Sequence, residues 1–384
     1  MSRAKSFKAI VLPLLAGGLL LAAAGQAHAA YSFYDLGTAG GPYSMALAIN
    51  NAGQITGTNS RGTSTRDDGW VFSTWNGTTM SVGDYDSHGM AINSSGQVAG
   101  GFAPRSFWIF ASTWNGSVRT DLNDLGGRSD PLWSDATGIN DLGQVVGISK
   151  APGTTAPTPV LWNNNINPTV LNTLGGQSGR AFGINNSGLA VGDSFTTGDG
   201  ASHASLWNTN NQNSPSDLGT LGGADSSALA INAGNQIVGW SSTTDDLAEH
   251  AVLWDGDTIN DLGTLGGLNS RAQALNVAGA IVGWSELANG SRHATLWNGG
   301  GILDLNSLLD PALISAGWVL TDAAGINDHG WIVGTATNSL LGITDGHAFL
   351  LSPTAVPVPG AVWLFGSALA GLLSATRRKS AVSA

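Results

Sequence analysis

The sequence predicts an all-β fold, a seven-bladed β-propeller of four-stranded blades, and three observations carry that expectation. A unit of about 45 residues recurs seven times between Tyr31 and Pro353. Three marker series each have seven members. The seventh copy also lacks its last strand, while the chain starts with a strand that has no copy of its own.

The first series is the asparagine of an Ile-Asn or Leu-Asn step: Asn50, Asn93, Asn140, Asn185, Asn232, Asn276 and Asn327, spaced 43 to 51 residues apart. The second is the glycine of a Val/Ile-x-Gly step: Gly57, Gly100, Gly147, Gly192, Gly239, Gly283 and Gly334. The third is an aromatic residue: Trp75, Trp114, Trp162, Trp207, Trp254, Trp297 and Phe349.

Each unit divides into four short strands. In the fifth, Ser227 to Ile231 leads into Asn232, Gln236 to Trp240 is β-branched and apolar, and His250 to Trp254 alternates. Thr258 to Leu262 then runs into Gly263-Thr264-Leu265-Gly266-Gly267. Four strands of ~5 residues with four connections of ~6 account for the period. No capped stretch of 3.6-residue periodicity interrupts residues 31–353, so helices are not expected there.

Asn-x-x-Gly, as in Asn140-Asp141-Leu142-Gly143, suits a hairpin: the asparagine side chain opens the turn and glycine takes the positive φ. The recurring tryptophans are expected to fill the space between blades. The orphan strand Ser32-Phe33-Tyr34-Asp35-Leu36 resembles the fourth strands of other units and would complete the last blade, pairing the ring's edges. An open β-solenoid is the competing architecture. It requires capping ends and gives no reason for complementary terminal fragments.

Composition narrows the function. With no cysteine, disulfides and thiolate metal sites are excluded. Between Ala30 and Pro359, 26 acidic residues stand against Lys150 and eight arginines, a net of −17. Such a body disfavours nucleic acid and anionic lipid as partners.

The ends carry an address. Residues 1–29 read as a secretory signal peptide, with basic Arg3, Lys5 and Lys8, an apolar run from Ile10 to Ala24, and a small-x-small cleavage site at Ala27-His28-Ala29. Signal peptidase is the implied processing partner. At the other end, Val356-Pro357-Val358-Pro359 is a stiff spacer. The sixteen residues Gly360 to Ala375 are apolar apart from two serines and are followed by Arg377-Arg378-Lys379. As a helix that run spans roughly 24 Å, at ~1.5 Å per residue. The basic cluster would stay cytoplasmic and leave the repeats outside. The tail is the only part of the mature chain expected to touch a membrane.

This order of Pro-rich step, short apolar helix with Trp363-Leu364-Phe365-Gly366-Ser367, and basic cluster resembles the PEP-CTERM sorting signal of Gram-negative bacteria. In that family an exosortase recognises a Pro-Glu-Pro step. Here Pro357 and Pro359 flank Val358 where the family usually has Glu. The resemblance implies export across the inner membrane, anchoring by the tail, and delivery to the outer surface or extracellular matrix.

The repeat itself resembles the HAF family of bacterial extracellular repeats, through His347-Ala348-Phe349, the variants at His203, His250 and His293, and the Leu-Gly-Thr-Leu-Gly-Gly steps at 218–223 and 262–267. The resemblance covers about 320 residues. It implies the repeat architecture and an extracellular place, and names no activity.

The three domains are therefore a signal peptide (1–29), the repeats (30–353) and the sorting tail (354–384). A site is expected where the copies differ, because variable polar loops on a rigid scaffold are the usual place for recognition. Here these are the loops between the second and third strands, which share a face with the Gly-Gly loops. Arg128, Arg180 and Arg271 follow Gly-Gly loops in different units, and their convergence near the channel would suit a carboxylate or sulfate.

The four repeat histidines lie in different blades, so no metal site is expected of them. Asp67-Asp68, Asp245-Asp246 and Asp255-Gly256-Asp257 lack the ligand density of a calcium loop. No phosphate loop, nucleophile elbow or zinc motif is present, and no cofactor is implied. Glu249 and Glu286 are the only glutamates. The expected function is a binding or structural module, with extracellular polysaccharide as a candidate ligand. The competing class is a propeller enzyme acting on extracellular polysaccharide, whose chemistry normally uses a carboxylate pair.

Expressed in hosts with and without an exosortase, the chain is expected to lose its tail only in the first. Identical C-terminal masses in both, read by mass spectrometry, would make the tail a plain single-pass anchor.

Overall fold

A computed structural model describes residues 31–60, 70–76, 79–85, 87–103, 108–126, 133–154, 156–164, 166–210 and 212–354. The signal-peptide site at Ala27 and Ala29, Arg128, and the tail residues Pro357, Pro359, Arg377, Arg378 and Lys379 lie outside the described residues. Among the described residues no helix is long and apolar enough to cross a membrane.

The described residues form seven four-stranded antiparallel sheets. Blades 1 to 6 occupy residues 44–85, 87–121, 134–170, 175–217, 222–261 and 266–304. Blade 7 takes residues 318–353 and borrows its outer strand from the start of the chain. Tyr31–Asp35 pairs antiparallel with Ile343–Pro353, Tyr31 opposite Pro353 and Asp35 opposite Phe349. The orphan strand thus closes the ring as its sequence predicts. Each blade's first strand touches the first strands of both neighbours, and blade 7 touches blade 1, so the first strands surround a central axis.

The asparagine series does more than make turns. Asn140 Oδ1 accepts from Leu142 N and Gln144 N at 3.1 and 2.9 Å, which builds the hairpin. Its Nδ2 donates to the main-chain oxygen of Asn185 in the next blade, at 3.0 Å. The same bond runs Asn50 to Asn93, Asn93 to Asn140, Asn185 to Asn232, Asn232 to Asn276 and Asn276 to Asn327, all within 3.0–3.2 Å. Asn327 then donates to Asn50 at 3.1 Å, closing a circle of seven buried hydrogen bonds. Turn chemistry alone accounts only for the oxygen of each carboxamide.

The glycine series has a steric cause. Every first strand carries a bulge opposite this glycine, for example between Ala228 and Ala230. The bulge turns a carbonyl toward the second strand. A Cβ on Gly239 would overlap the carbonyl oxygen of Ser227, and the other six glycines meet the equivalent oxygens of Met45, His88, Asp135, Arg180, Arg271 and Asp322.

The aromatic series packs between blades. Trp254 is 2 % exposed and sits against Val191, Ala204 and Leu218 of blade 4. Its indole N–H reaches the carbonyl of Leu218 at 2.9 Å. Trp75, Trp162 and Trp207 make the same bond to Leu36, Asn123 and Asn172. In these four blades the buried Trp therefore finds its polar partner on the preceding blade, whereas the indole N–H of Trp297 is buried without one.

The Asp-Leu-Gly-Thr-Leu-Gly-Gly step is a connector held by side chains. Gly219 N binds Asp217 Oδ1, Thr220 Oγ1 donates to the carbonyl of Gly223, and Leu221 N is received by Ser241 Oγ. Residues 261–267 repeat the pattern. The first strands of blades 4 to 6 begin within the Gly-Gly step and reach ten residues, longer than the alternating pattern indicates.

The described residues depart from the expectation of no helix at three single-turn 3-10 segments, Thr244–Asp246, Leu305–Leu308 and Ser339–Leu341, and at one short α-helix between blades 6 and 7, Pro311–Ser315. Asp310 caps it by accepting from Ala312 N, and Pro311 supplies a first-turn residue. Five residues are too few for hydrophobic periodicity to register.

Asn140→Ala is expected to cost about 2–4 kcal/mol, because it leaves the buried Gln144 amide unpaired, at ~1–3 kcal/mol, and removes one inter-blade hydrogen bond, at ~1 kcal/mol. Leu142→Ala, an exposed side chain in the same turn, should stay within ~0.5 kcal/mol. The check is the urea midpoint at constant m-value.

Candidate functional site: the variable-loop face

The two faces of the ring differ. One carries the Asn turns, which are nearly identical in all blades. The other carries the Gly-Gly loops and the loops between second and third strands, which hydrogen bonds tie together. Ala224 N binds Asp246 Oδ1 at 2.6 Å, and Gln177 N binds Asp199 Oδ1 at 2.8 Å. The two loop sets expected to share a face therefore do so.

Near that face, one inner-strand position changes from each blade to the next: Met45, His88, Asp135, Arg180, Ser227, Arg271 and Asp322. Its cross-strand neighbours on the second strands are Thr58, Gly101, Ile148, Asp193, Trp240, Trp284 and Thr335. These pairs follow or face the invariant glycine, so a rigid frame presents variable chemistry.

The charges are matched locally. Arg180 grips Asp193 through Nε and Nη2 at 3.0 and 2.7 Å, and Ser227 Oγ of blade 5 donates to the same carboxylate at 2.8 Å. Asp193 is 2 % exposed, so three donors offset its desolvation. Arg271 lies over the Trp240 ring at 4.6 Å and pairs with Glu249 of blade 5 through Nε at 2.9 Å. Arg292 lies over the Trp284 ring at 4.0 Å and pairs with Asp322 of blade 7. Burial pushes the Asp322 carboxyl above the usual carboxylate range despite Arg292 beside it. Burial likewise lowers Arg292, although Asp322 pulls the other way.

On the opposite arc, His88 Nε2 stands 3.0 Å from both Asp135 oxygens. Burial lowers the imidazole, but the charge and hydrogen bond of Asp135 outweigh it and leave His88 above its ordinary value.

An open cleft of about 560 Å³ lies between blades 5 and 6 on this face. Asp225, Asp246, Ala248, Glu249, Asn269 and Trp284 line it. Asn269 is held by Glu286 on one side and receives Glu249 N on the other.

Of the predicted site residues, Arg180 and Arg271 stand on the inner strands of blades 4 and 6, each in its own ion pair, and Arg128 is outside the described residues. The histidines do not gather. His203, His250 and His293 pair with Asp217, Asp261 and Asp304 in their own blades at 2.7–2.8 Å. His347 pairs with Asp35 across the closing strand. Burial raises the Asp35 carboxyl, but hydrogen bonds from His347 and Gly37 bring it below its ordinary value. That contribution to closure is present at neutral pH and is lost as pH falls through the lowered value. Among the described residues no group of three His, Asp or Glu side chains is placed to hold a metal.

Sequence reasoning missed Trp240, Trp284, Asp193, Arg292 and Asp322. For Trp240, Trp284 and Asp193 a signal was available: they follow the invariant glycine at Gly239, Gly283 and Gly192, where other copies carry Thr58, Gly101, Ile148 or Thr335.

No family model and no curated protein matches the chain. Several solved structures are similar to it. TolB from Acinetobacter baumannii has a TM-score of 0.45 and 10% identity over 78% of this chain and 63% of that one, so this chain spans under two thirds of TolB. The β-propeller domain of the Trilobed protease from Pyrococcus furiosus has a TM-score of 0.37 and 10% identity over 70% of this chain and 95% of that one. The SapL1 lectin, solved with alpha methyl fucoside, has a TM-score of 0.34 and 12% identity over 82% of this chain and 97% of that one. At such identities the likeness is one of fold alone. The chain is a seven-bladed β-propeller with distant peptidase and lectin propeller neighbours.

His88 is expected to titrate above 6.5 by NMR, and Asp135→Asn should bring it down. The pair's stabilisation is full below the unfolded value and fades as pH rises through the raised one.

Proposed function

We propose that this chain is an exported propeller, delivered to the cell surface or extracellular matrix of a Gram-negative bacterium, whose variable-loop face binds extracellular polysaccharide. The observation that carries the reading is the contrast between faces: one uniform and closed by the asparagine circle, the other varying from blade to blade, with Asp, His, Arg or Trp at the paired positions of every blade but the first.

The address rests on sequence. The signal peptide implies signal peptidase, and the tail's resemblance to a PEP-CTERM signal implies an exosortase that acts at Pro357 to Pro359, with Arg377, Arg378 and Lys379 held inside. The repeat's resemblance to HAF proteins agrees with an extracellular place. The site assigned to Arg180 and Arg271 is the wall of the variable face. Both are partly exposed beside their carboxylate partners, at 47 % and 37 % of the side chain. Arg128 belongs to the same set by its place in the repeat.

The full chain is expected to bind a subset of bacterial polysaccharides on an array, and Arg180→Ala and Arg271→Ala should each weaken binding about tenfold, or ~1.4 kcal/mol. Silence across the array and across matrix extracts would assign the propeller a structural role instead.

A further inference from the structure

We infer that the cleft between blades 5 and 6 takes one neutral pyranose unit of a polysaccharide, seated on Trp284, and that it rejects uronate and sulfated sugars. This deepens the binding reading above and rests on it.

Size comes first. A cleft of about 560 Å³ falls within the ~300–1,000 Å³ typical of small-ligand sites, room for one or two sugar rings. Trp284 lines it, and the ring is pinned from its own blade by the Arg292 guanidinium 4.0 Å from its centroid. Trp284 is half-buried rather than hidden in a core, unlike the fully packed Trp254 and Trp297. An ordered, partly exposed indole offers an apolar platform to the C–H face of a sugar.

The rim supplies hydrogen-bond acceptors with capacity to spare. Asp225 uses one oxygen on Ser202 N and Asp246 uses one on Ala224 N. Glu249 uses only Oε2 on Arg271. The other oxygen of each carboxylate takes no hydrogen bond among the described residues. Sugar hydroxyls are donors that suit such oxygens. Asn269 is set by Glu286 and by Glu249 N, so its position is fixed before a ligand arrives.

Charge selects within the sugars. Three carboxylates line the cleft and no cation does. The two arginines beside it are already engaged, Arg271 by Glu249 and stacked on Trp240, and Arg292 by Asp322 and stacked on Trp284. A carboxylate or sulfate on the ligand would meet like charge without a free partner, a costly arrangement. The anionic ligand suggested by three arginines in the sequence therefore does not fit this cleft.

The experiment is calorimetric titration of the full chain with neutral glucose and N-acetylglucosamine oligomers, against uronate and sulfated oligomers of equal length. The neutral oligomers that bind should do so at least tenfold more tightly than anionic ones. Trp284→Ala should weaken them at least tenfold. Ala248→Trp, which fills the cleft from its exposed loop and removes no buried group, should abolish binding while the urea midpoint is kept. Preference for anionic oligomers, or saccharide binding indifferent to both variants, overturns the cleft and leaves the wider binding role standing. Absence of binding to every oligomer and every arrayed polysaccharide overturns both.

Discussion

The circle of asparagine side chains is the interaction on which the rest of the structure depends. Each carboxamide spends its oxygen on its own hairpin and its nitrogen on the next blade. Local turn formation and global closure are thus one event. A hydrogen bond of this kind is worth only ~0.5–1.5 kcal/mol net, but an unmade one in a buried site costs more. The circle therefore acts mainly against an open arrangement, which would leave a buried donor without a partner. A solenoid would strand the Asn327 Nδ2 donor, which here reaches the carbonyl of Asn50.

Around that circle the invariant residues divide the work by chemistry. Glycine on the second strand admits the bulged carbonyl of the first. Tryptophan on the third strand fills the wedge against the preceding blade and bonds its connector. Serines at strand starts receive main-chain amides of the preceding blade, as Ser226 and Ser270 receive Ala204 and Ala251. Each contact joins neighbours only, so the same solution serves at every blade junction. With structure secured by these positions, the residues beside the glycine are free to vary.

What varies is electrostatically expensive. Arg292 and Asp322 are both desolvated, and burial moves each away from its charged form while the partner pulls it back. Such pairs are a poor source of stability, since apolar residues of similar size commonly do as well. Ordered, locally neutral pairs beside tryptophan faces are better understood as a preorganised surface. The acidic body then sets the sign of what can approach, in agreement with a cleft that carries carboxylates and no free cation.

Much of this was legible in the sequence because the repeat writes each structural rule seven times. The period, the three marker series and the orphan strand at 32–36 determined blade number, strand content and closure, since these depend on local turn chemistry and on counting. The short helix at Pro311 escaped because five residues give no periodicity. Tertiary structure alone decided the second half of each asparagine's role, because bonds between residues 43 to 51 positions apart, and 277 at the closure, leave no local mark. It also decided which charges meet. Arg180 finds Asp193 in its own blade, Arg271 finds Glu249 in the blade before, and Arg292 finds Asp322 in the blade after. Those pairings depend on side-chain reach across blade junctions, which spacing along the chain does not encode.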